Sequence, residues 1–341
     1  MDAARVNIYD VAQEAEVSIS TVSRVLRGAE SVSPETRRRV QEVIDRLHYC
    51  PSSIARGMTT SKTNALGIVL PKMLNPFYAM IYTGAFDEAV RHGYSLNMFL
   101  RKDFLLDPQR SVALLAERRL DGAIIYIEYL PHEADDRLRE ILRNLKRHMP
   151  LVLIGCVPQD LDFPAITFDM AEILRQSVAY LVGLGHERIA FIGGLQDDQD
   201  PMRRDVGYEQ GLRDAKLPYV ASYRVYGDGT AEAGEAALDR LLDSLQPAHW
   251  PTAVIALNDM VAMGCLSSAR RHGLRLPEDL SLIGCDNLLF APHLFPPLTS
   301  VNLNQQRLGE QAVQLLLSGE KARRQAEWSL IERASCSKPA G

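Results

Sequence analysis

The stretch Val17-Ser18-Ile19-Ser20-Thr21-Val22-Ser23-Arg24-Val25-Leu26 decides how the first part of this chain folds. Ser18 is a good N-cap residue, so a helix is expected to begin just after it. The apolar residues that share one face of that helix are Val22, Val25 and Leu26. The opposite face, toward solvent or a partner, carries mainly Ile19, Ser20, Ser23 and Arg24. The stretch therefore predicts a short amphipathic helix whose exposed side is rich in hydroxyls.

Two further helices are expected on either side of this stretch. Asn7 can cap a first helix, whose apolar residues follow the spacing i, i+3, i+4 and i+7. They are Ile8, Val11, Ala12 and Ala15. Ser33-Pro34 opens a third helix with a capping residue and a proline at the first helical position. Two short helices joined by a tight turn and closed by a third predict an all-α helix-turn-helix head.

The exposed face of the second helix favours DNA binding. Short hydroxyls and one arginine near a helix N-terminus can reach base edges and phosphates in a major groove. A helical hairpin that merely packs is the alternative. Charge does not decide between the two, because residues 1–62 carry nine Lys/Arg and eight Asp/Glu, and the whole chain has a net charge of −5. The DNA-binding prediction therefore rests on motif and geometry.

Length and composition restrict the class of protein. A chain of 341 residues is too long for one ordinary core, so about two or three domains are expected. No apolar run reaches the roughly 18–20 residues that span a bilayer, and the first residues lack the apolar core of a secretion signal. The five scattered cysteines contain no CxxC pair, which argues against a disulfide framework or a zinc site. We therefore expect a cytoplasmic protein with no cofactor, no metal and no membrane partner.

After residue 62 the sequence alternates between strand and helix patterns. Strands are predicted at 65–70, 95–100, 121–126, 151–155, 188–194, 253–257 and 280–285. Helices are predicted at 77–93, 108–118, 135–147, 170–184, 203–215 and 259–272. This alternation of strands and helices predicts an α/β body of two parallel-sheet units with a cleft between them. In such open sheets, ligands bind outside the carboxyl ends of the strands.

Several motifs resemble those of a known family. The head contains DVA (10–12), VSISTVSRVL (17–26), VSPETRRRV (32–40) and YCPSSIAR (49–56). These motifs resemble the opening of lactose-repressor (LacI/GalR) family transcription regulators. GIVLP (67–71), NPFY (75–78) and LSLIGCDN (280–287) are similar to that family's effector-binding body, which is built like periplasmic sugar-binding proteins. The resemblance implies three parts: a helix-turn-helix DNA-binding domain (1–49), a hinge helix and linker (50–62), and an effector-binding and dimerisation domain (63–341).

The resemblance also implies which residues contact double-stranded operator DNA. Ile19 and Ser20 hold two base-reading positions, and Arg24 holds the third. The other implied DNA-binding residues are Tyr9, Ser18, Thr21, Ser23, Ser53, Ala55, Arg56 and Met58. Met58 stands where the family inserts a leucine into the minor groove, and an ordinary linker residue is the alternative. Two heads of a homodimer would bind a palindromic operator, one recognition helix in each half-site.

A second implied set of residues binds a small-molecule effector in the cleft. Arg204 matches an arginine that clamps effector oxygens, and a guanidinium suits a carboxylate or a vicinal diol. Asp286 fills the position of the family's sugar-accepting aspartate. The other candidates are Asn75, Phe77, Tyr78, Arg101, Phe168, Asp169, Asn258 and Asp259. Simpler roles stay open: Asp259 as a helix cap, Phe77 as core, Asp286 as a turn residue and Arg204 as part of a solvated pair.

The resemblance implies that the chain crosses between two subdomains three times, near 163–166, 291–295 and 324–328. The N-subdomain would then comprise about 63–164 and 294–325, and the C-subdomain about 165–292 and 326–341. The expected function is an effector-responsive repressor of sugar or sugar-acid metabolism genes that its ligand releases from the operator. A solute-binding protein with the same cleft is the alternative. An enzyme is not expected, because no catalytic constellation is visible.

Overall fold

A computed structural model describes residues 6–26, 29, 31–49, 62–71, 73–100, 113, 115, 117–127, 132–157, 160–194 and 203–340. The chain divides into two compact units, Met1–Thr63 and Asn64–Gly341. The first unit has its own hydrophobic core, built from residues between Val11 and Tyr49. Across the described ranges, the structure contains no helix of the length and apolarity needed to cross a membrane.

The first unit is a three-helix head. Its helices are α1 (Ile8–Glu14), α2 (Ile19–Leu26) and α3 (Pro34–Arg46). Asn7 and Asp10 form a capping box, in which each side chain accepts the backbone N–H of the other residue. Ser18 accepts the N–H of Thr21 at 3.2 Å, and Ser33 caps α3. The predicted caps are therefore confirmed, and each typically stabilises its helix by about 1 kcal/mol.

The core of the head uses one face of each helix. Val11, Val22 and Val40, one from each helix, are completely buried. The turn between α1 and α2 contains Glu16 with a left-handed backbone (φ 51°). An Arg46–Glu14 ion pair of 2.9 Å joins the end of α3 to the end of α1. The helix-turn-helix arrangement predicted from the sequence is thus confirmed.

The second unit alternates strands and helices. Its strands are β1 (Ala65–Leu70), β2 (Ser95–Leu100), β3 (Gly122–Ile127), β4 (Leu151–Gly155), β5 (Ala165–Thr167), β6 (Ile189–Ile192), β7 (Arg224–Val225), β8 (Ala253–Ala256), β9 (Ser281–Cys285), β10 (Thr299–Asn302), β11 (Arg323–Gln325) and β12 (Ser329–Ile331). Its helices are α4 (Pro76–Arg91), α5 (His132–Lys146), α6 (Met170–Gly183), α7 (Arg204–Asp214), α8 (Ala231–Asp243), α9 (Asp259–Arg271) and α10 (Gln305–Ser318). The central strands are buried on both faces, which explains their continuous apolar sequences.

These strands form two sheets, each at the centre of one lobe. The first-lobe sheet has the order β11-β5-β4-β3-β1-β2 and is parallel throughout. The second-lobe sheet has the order β12-β10-β9-β8-β6-β7, with β12 antiparallel to β10. Helices α4 and α10 pack together in the first lobe, and α8 packs with α9 in the second. The predicted fold class, a helical head followed by an α/β body of two mostly parallel sheets, is confirmed.

Two predicted crossings between the lobes need correction. Residues 165–167 form β5, which pairs with β4, so the first crossing lies at 168–169 and not near 163–166. Residues 299–302 form β10, which pairs with β9, so the second crossing lies at 303–304 and not near 291–295. In both places a short apolar and β-branched run adds one more strand to the sheet before the chain leaves it. The last crossing falls between β11 and β12, within the predicted 324–328.

Some predictions cannot be compared with the structure in full. The helix expected at 108–118 lies mostly outside the described residues.

Two helices of the body, α8 and α10, are not predicted by the sequence patterns, although both are well formed. Helix α10 is important for the first lobe because Gln314 on it donates to the buried Glu88 of α4 at 2.9 Å. This hydrogen bond is the largest cause of the lowered pKa of Glu88.

Candidate DNA-binding surface and effector cleft

The outer face of α2 presents the predicted base-reading residues to solvent. Ser18, Ile19, Ser20 and Arg24 are exposed, and Thr21 and Ser23 are half-buried. Ile19 exposes 40% of its surface although it is a large apolar residue. Tyr9 of α1 is also exposed. Because Val22 and Val25 hold the other face of α2 in the core, the helix can offer this surface without losing its packing.

Hydroxyl groups form a network at the start of α2. The Ser18 Oγ lies 2.8 Å from Ser20 Oγ and 2.9 Å from Thr21 Oγ1. The N-terminus of a helix carries a partial positive charge, which favours an anionic group such as a phosphate. The surface therefore combines polar groups, one apolar side chain (Ile19) and one cation (Arg24). Four further predicted DNA contacts lie outside the described residues: Ser53, Ala55, Arg56 and Met58.

A strained loop lies at the carboxyl end of β9, where the sequence predicts the cleft. Asp286 and Asn287 both have positive φ values, 104° and 49°. Three backbone N–H groups of the loop donate hydrogen bonds that hold it: Asp286 N–H to Val301 O (2.8 Å), Asn287 N–H to Ser300 Oγ (3.0 Å) and Leu288 N–H to Asp259 Oδ2 (2.6 Å). Such backbone conformations cost about 1–3 kcal/mol each and persist where the surroundings fix them, often at ligand sites.

Asp286 connects the two lobes. Its carboxyl lies near the side chain of Asn75, which lowers the pKa of Asp286 and caps α4 in the first lobe. The Asn75 Oδ1 accepts the N–H of Phe77 at 2.9 Å. The side chain of Gln305, at the start of α10, donates to the backbone carbonyl of Asp286. One first-lobe residue, Gln305, thus holds a second-lobe residue through its backbone.

The electrostatics of Asp286 favour its neutral form. The side chain is buried, and this burial raises the pKa of Asp286 well above its usual value. The nearby carboxyl of Asp259 raises the pKa further, whereas the charge of Arg204 and the side chain of Asn75 lower it. Arg204 is the first residue of α7 and is half-buried. A carboxyl, an amide and a guanidinium therefore lie close together, a set suited to ligand hydroxyls and carboxylates.

Asp259 supports the loop in this structure, and its contact with an effector stays a prediction. Its side chain is fully buried, and its two oxygens accept hydrogen bonds from Leu288 N–H and Ser300 Oγ, both at 2.6 Å. Burial raises the pKa of Asp259 to about 7. Asn258 caps α9 by accepting the N–H of Val261 at 2.8 Å, and its amide donates to Gly229 O at 3.2 Å.

The predicted stacking residues belong to a buried aromatic cluster. The rings of Phe77, Tyr78 and Tyr126 meet edge to face, with centroids 5.2–5.9 Å apart. Phe77 and Tyr78 are each 5% exposed, so the core role left open for Phe77 is the one seen here. Phe168 packs partly buried against the same core, and Asp169 caps α6 by accepting the N–H of Glu172 at 3.0 Å. Arg101 lies outside the described residues.

Sequence reasoning missed Arg224, which fixes the start of α7. Its guanidinium lies between the rings of Phe191 (4.1 Å to the centroid) and Tyr226 (3.9 Å), and its side chain is only 3% exposed. It donates to Asp205 at 2.6 Å, and Asp205 directly follows Arg204. An arginine on an edge strand gives no sequence signal of such burial, because most arginines are exposed.

A helix-turn-helix head joined to a two-lobed α/β body with a cleft defines a ligand-binding, DNA-binding regulator. The profile for bacterial regulatory proteins of the lacI family matches residues 7–52, and the profile for the periplasmic binding protein-like domain matches residues 178–336. Catabolite control protein A from Priestia megaterium is 34% identical over 313 residues, which cover 91% of this chain and 91% of that protein. The chain belongs to the LacI family of bacterial regulatory proteins.

Solved structures agree with this assignment. The lac repressor dimer bound to operator and the anti-inducer ONPF superimposes with a TM-score of 0.85 at 25% identity, covering 97% of this chain and 99% of that one. The complex of the transcriptional regulator CelR with cellobiose gives a TM-score of 0.70 at 31% identity, covering 97% and 100%. The chain is therefore a DNA-binding transcriptional regulator with an effector-binding body and not an enzyme.

Proposed function

We propose that this protein is a homodimeric repressor that binds a palindromic operator in the cytoplasm and is released by a sugar or sugar acid. The observation that carries the proposal is the position of Asp286, whose backbone carbonyl accepts a hydrogen bond from Gln305 of the first lobe and whose carboxyl lies near Asn75 and Arg204. A ligand whose hydroxyls pair with Asp286 and Asn75 would change how the lobes meet. That change would alter DNA binding by the head, whose residues Ile19, Ser20 and Arg24 are exposed on α2.

At the DNA end, α2 would lie in the major groove. Arg24 is long enough to pair with a guanine edge or a phosphate, and Ile19 gives an apolar contact suited to a thymine methyl group. Tyr9, Ser18, Ser20, Thr21 and Ser23 would hydrogen-bond phosphates and position the helix. Each head makes few contacts, so tight binding requires both heads of a dimer at once. The hinge residues Ser53, Ala55, Arg56 and Met58 would add minor-groove contacts.

At the effector end, Asp286 and Asn75 would bind hydroxyl groups of the ligand, and Arg204 would pair with a carboxylate or a diol. The structure of CelR with cellobiose supports a carbohydrate ligand for this kind of cleft. Phe77, Tyr78 and Phe168 would provide apolar contact with a sugar ring, and Asp169 would add an acceptor. Arg101, Asn258 and Asp259 complete the proposed set. The ligand would shift the equilibrium between DNA-competent and incompetent states by about 1–3 kcal/mol.

The dimer would use an exposed apolar surface of the first lobe. Phe86 and Val90 on α4 and Met98 and Leu100 on the edge strand β2 are each at least 40% exposed. Phe86 and Val90 are one helical turn apart, and Tyr82 stacks on Phe86 at 6.1 Å. Contiguous exposed apolar side chains of this kind are typical of interfaces. The dimer in the lac repressor structure supports a two-subunit assembly of this fold.

Selection of duplexes from a randomised DNA library by the full-length protein tests this proposal. We expect an enriched palindrome, and a sugar and sugar-acid screen should contain a compound that lowers affinity for it at least fivefold. A Phe86→Glu/Val90→Glu variant should sediment as a monomer and bind the same duplex far more weakly. A ligand that tightens operator binding would contradict the proposed release and would make the ligand a corepressor. A monomeric wild-type protein would refute the dimer.

A further inference from the structure

The first lobe contains a cavity of about 640 Å³ at the end of its sheet that is opposite the effector cleft. It is lined by residues of the segments 146–152, 160–164 and 315–323. These segments precede or enter the amino ends of β4, β5 and β11, whereas Asp286 and its partners lie where strands end. Cavities of about 300–1,000 Å³ are of the size that small molecules occupy. The cavity is therefore separate from the cleft and large enough for a ligand.

The inner wall of the cavity is apolar. Leu151, Phe163, Leu315 and Leu316 are each at most 7% exposed and come from β4, the segment before β5 and α10. The Nζ of Lys146 lies 4.7 Å from the centroid of the Phe163 ring, at the border between this wall and the rim. An apolar wall with a few polar groups at its edge is the usual composition of a small-molecule site.

The carboxylates on the rim already have cationic partners. The three ion pairs are Asp160–Arg139 (2.6 Å), Asp162–Lys146 (3.1 Å) and Glu320–Arg324 (2.6 Å). Arg139 and Arg324 do not line the cavity, so they add positive charge around it from outside. The negative charge of the rim is thus compensated within the lobe.

The rim carries further cations. Arg147 and Lys321 line the cavity, are exposed, and form no ion pair within the portion of the chain that the structure describes. Arg323 also lines it and donates to the carbonyls of Leu161 and Val157 at 3.0 and 2.8 Å. With the carboxylates paired, Arg147 and Lys321 leave the rim with a surplus of positive charge. This charge complements an anion.

From these observations, we propose that the cavity is a second ligand site, which takes a small organic anion with an apolar body. The apolar part contacts Leu151, Phe163 and Leu316, and the anionic group lies between Arg147 and Lys321. The site is at the amino-end edge of the sheet, where β1 and β3 also begin. At this edge the N–H of Asn64, just before β1, donates to Asp121, just before β3, at 2.9 Å. The second site is independent of the effector proposed for the cleft.

Isothermal titration calorimetry of the full-length protein tests the site with two matched probes, 4-phenylbutyrate and its neutral amide, 4-phenylbutyramide. We expect the carboxylate to bind about tenfold more tightly than the amide, since each of the two exposed cations that contact it adds a modest Coulomb attraction. In an Arg147→Gln/Lys321→Gln variant this preference should disappear. A matched Arg213→Gln/Lys216→Gln variant, which removes the same charge from the exposed end of α7, should keep it.

Three results would overturn the site: no heat of binding at millimolar carboxylate, equal affinity for carboxylate and amide, or an unchanged preference in Arg147→Gln/Lys321→Gln. An Asp286→Asn variant separates this site from the cleft. Binding of 4-phenylbutyrate should be unaffected in that variant, and its loss there would place the probe in the cleft. Circular dichroism of each variant verifies that it is folded.

Discussion

Gln305, at the start of α10 in the first lobe, donates a hydrogen bond to the backbone carbonyl of Asp286, which follows β9 in the second lobe. Asn75 caps α4 near the Asp286 carboxyl, and its Oδ1 accepts the N–H of Phe77 at 2.9 Å. Gln305 therefore ties the two lobes together at the residue whose carboxyl is the proposed ligand-binding group.

The cap supplied by Asn75 and the link supplied by Gln305 can be separated by substitution. Asn75→Ala removes the cap, and we expect it to destabilise the protein by about 1 kcal/mol. Asn75→Ser keeps a capping hydroxyl, so stability should change by less than half as much. Gln305→Ala removes the link and should exchange the amide hydrogens of residues 286–288 faster, as measured by mass spectrometry. Unchanged exchange in Gln305→Ala would show that the link does not restrain the loop.

Asp286 should make the stability depend on pH. Its pKa is raised in the folded state, so the folded protein retains a proton that the unfolded chain loses above about pH 4. Stability from this group therefore falls as the pH rises from about 4 toward the folded-state pKa. We expect Asp286→Asn to gain stability relative to the wild type between pH 5 and pH 8 in urea unfolding. A constant difference across this range would contradict the raised pKa.

His186 should act in the opposite direction. Its side chain is 1% exposed, and its ring nitrogens form hydrogen bonds with Thr252 Oγ1 (2.9 Å), Ser281 Oγ (3.0 Å) and the carbonyl of Ser337 (2.9 Å). Burial lowers its pKa, so the unfolded chain binds a proton first as the pH falls below about 6.5. Its contribution to stability is lost as the pH falls through the folded-state pKa. In urea unfolding, the free energy of unfolding should fall less between pH 7 and pH 5 in His186→Gln than in the wild type.

Gly284 allows Asp259 to approach β9. A Cβ at residue 284 would overlap the Asp259 Oδ1, whereas a Cβ at Gly183, at the end of α6, would meet nothing within 4 Å. We expect Gly284→Ala to destabilise the protein by about 2 kcal/mol through overpacking. Gly183→Ala is the matched control and should change the stability by less than about 1 kcal/mol. Thermal unfolding measures both, and equal effects would contradict this role of Gly284.

The sequence predicted the head better than the cleft. Helix caps such as Asn7 and Ser33 are local signals, and the alternation of Val22 and Val25 with exposed residues identifies the outer face of α2 directly. The cleft depends on long-range contacts that spacing does not encode. The position of Asp259 after a strand is the same whether its carboxyl points into the cleft or, as found, toward Ser300. The sequence pattern therefore does not distinguish the two orientations.

The lobe boundaries show the same limit. Residues 299–302 are too short a run to reveal which sheet they join, and only the register with β9 places them in the second lobe. Gln305 and Arg224 gave no signal, because their partners lie 19 residues away in sequence and their side chains are of types that are usually exposed. The sequence patterns thus predicted the elements and their caps more reliably than the side-chain contacts between elements.

The exposed face of α2 gives the most direct test of DNA recognition. Fluorescence anisotropy should be measured on the duplex enriched by selection, with Arg24→Ala compared to the matched Arg213→Ala variant on α7 at one salt concentration. Loss of the Arg24 contact should weaken binding by about tenfold to hundredfold without changing the unfolding midpoint. Arg213→Ala should bind like the wild type. If selection enriches no duplex, or if both variants bind with wild-type affinity, recognition of an operator by α2 is contradicted.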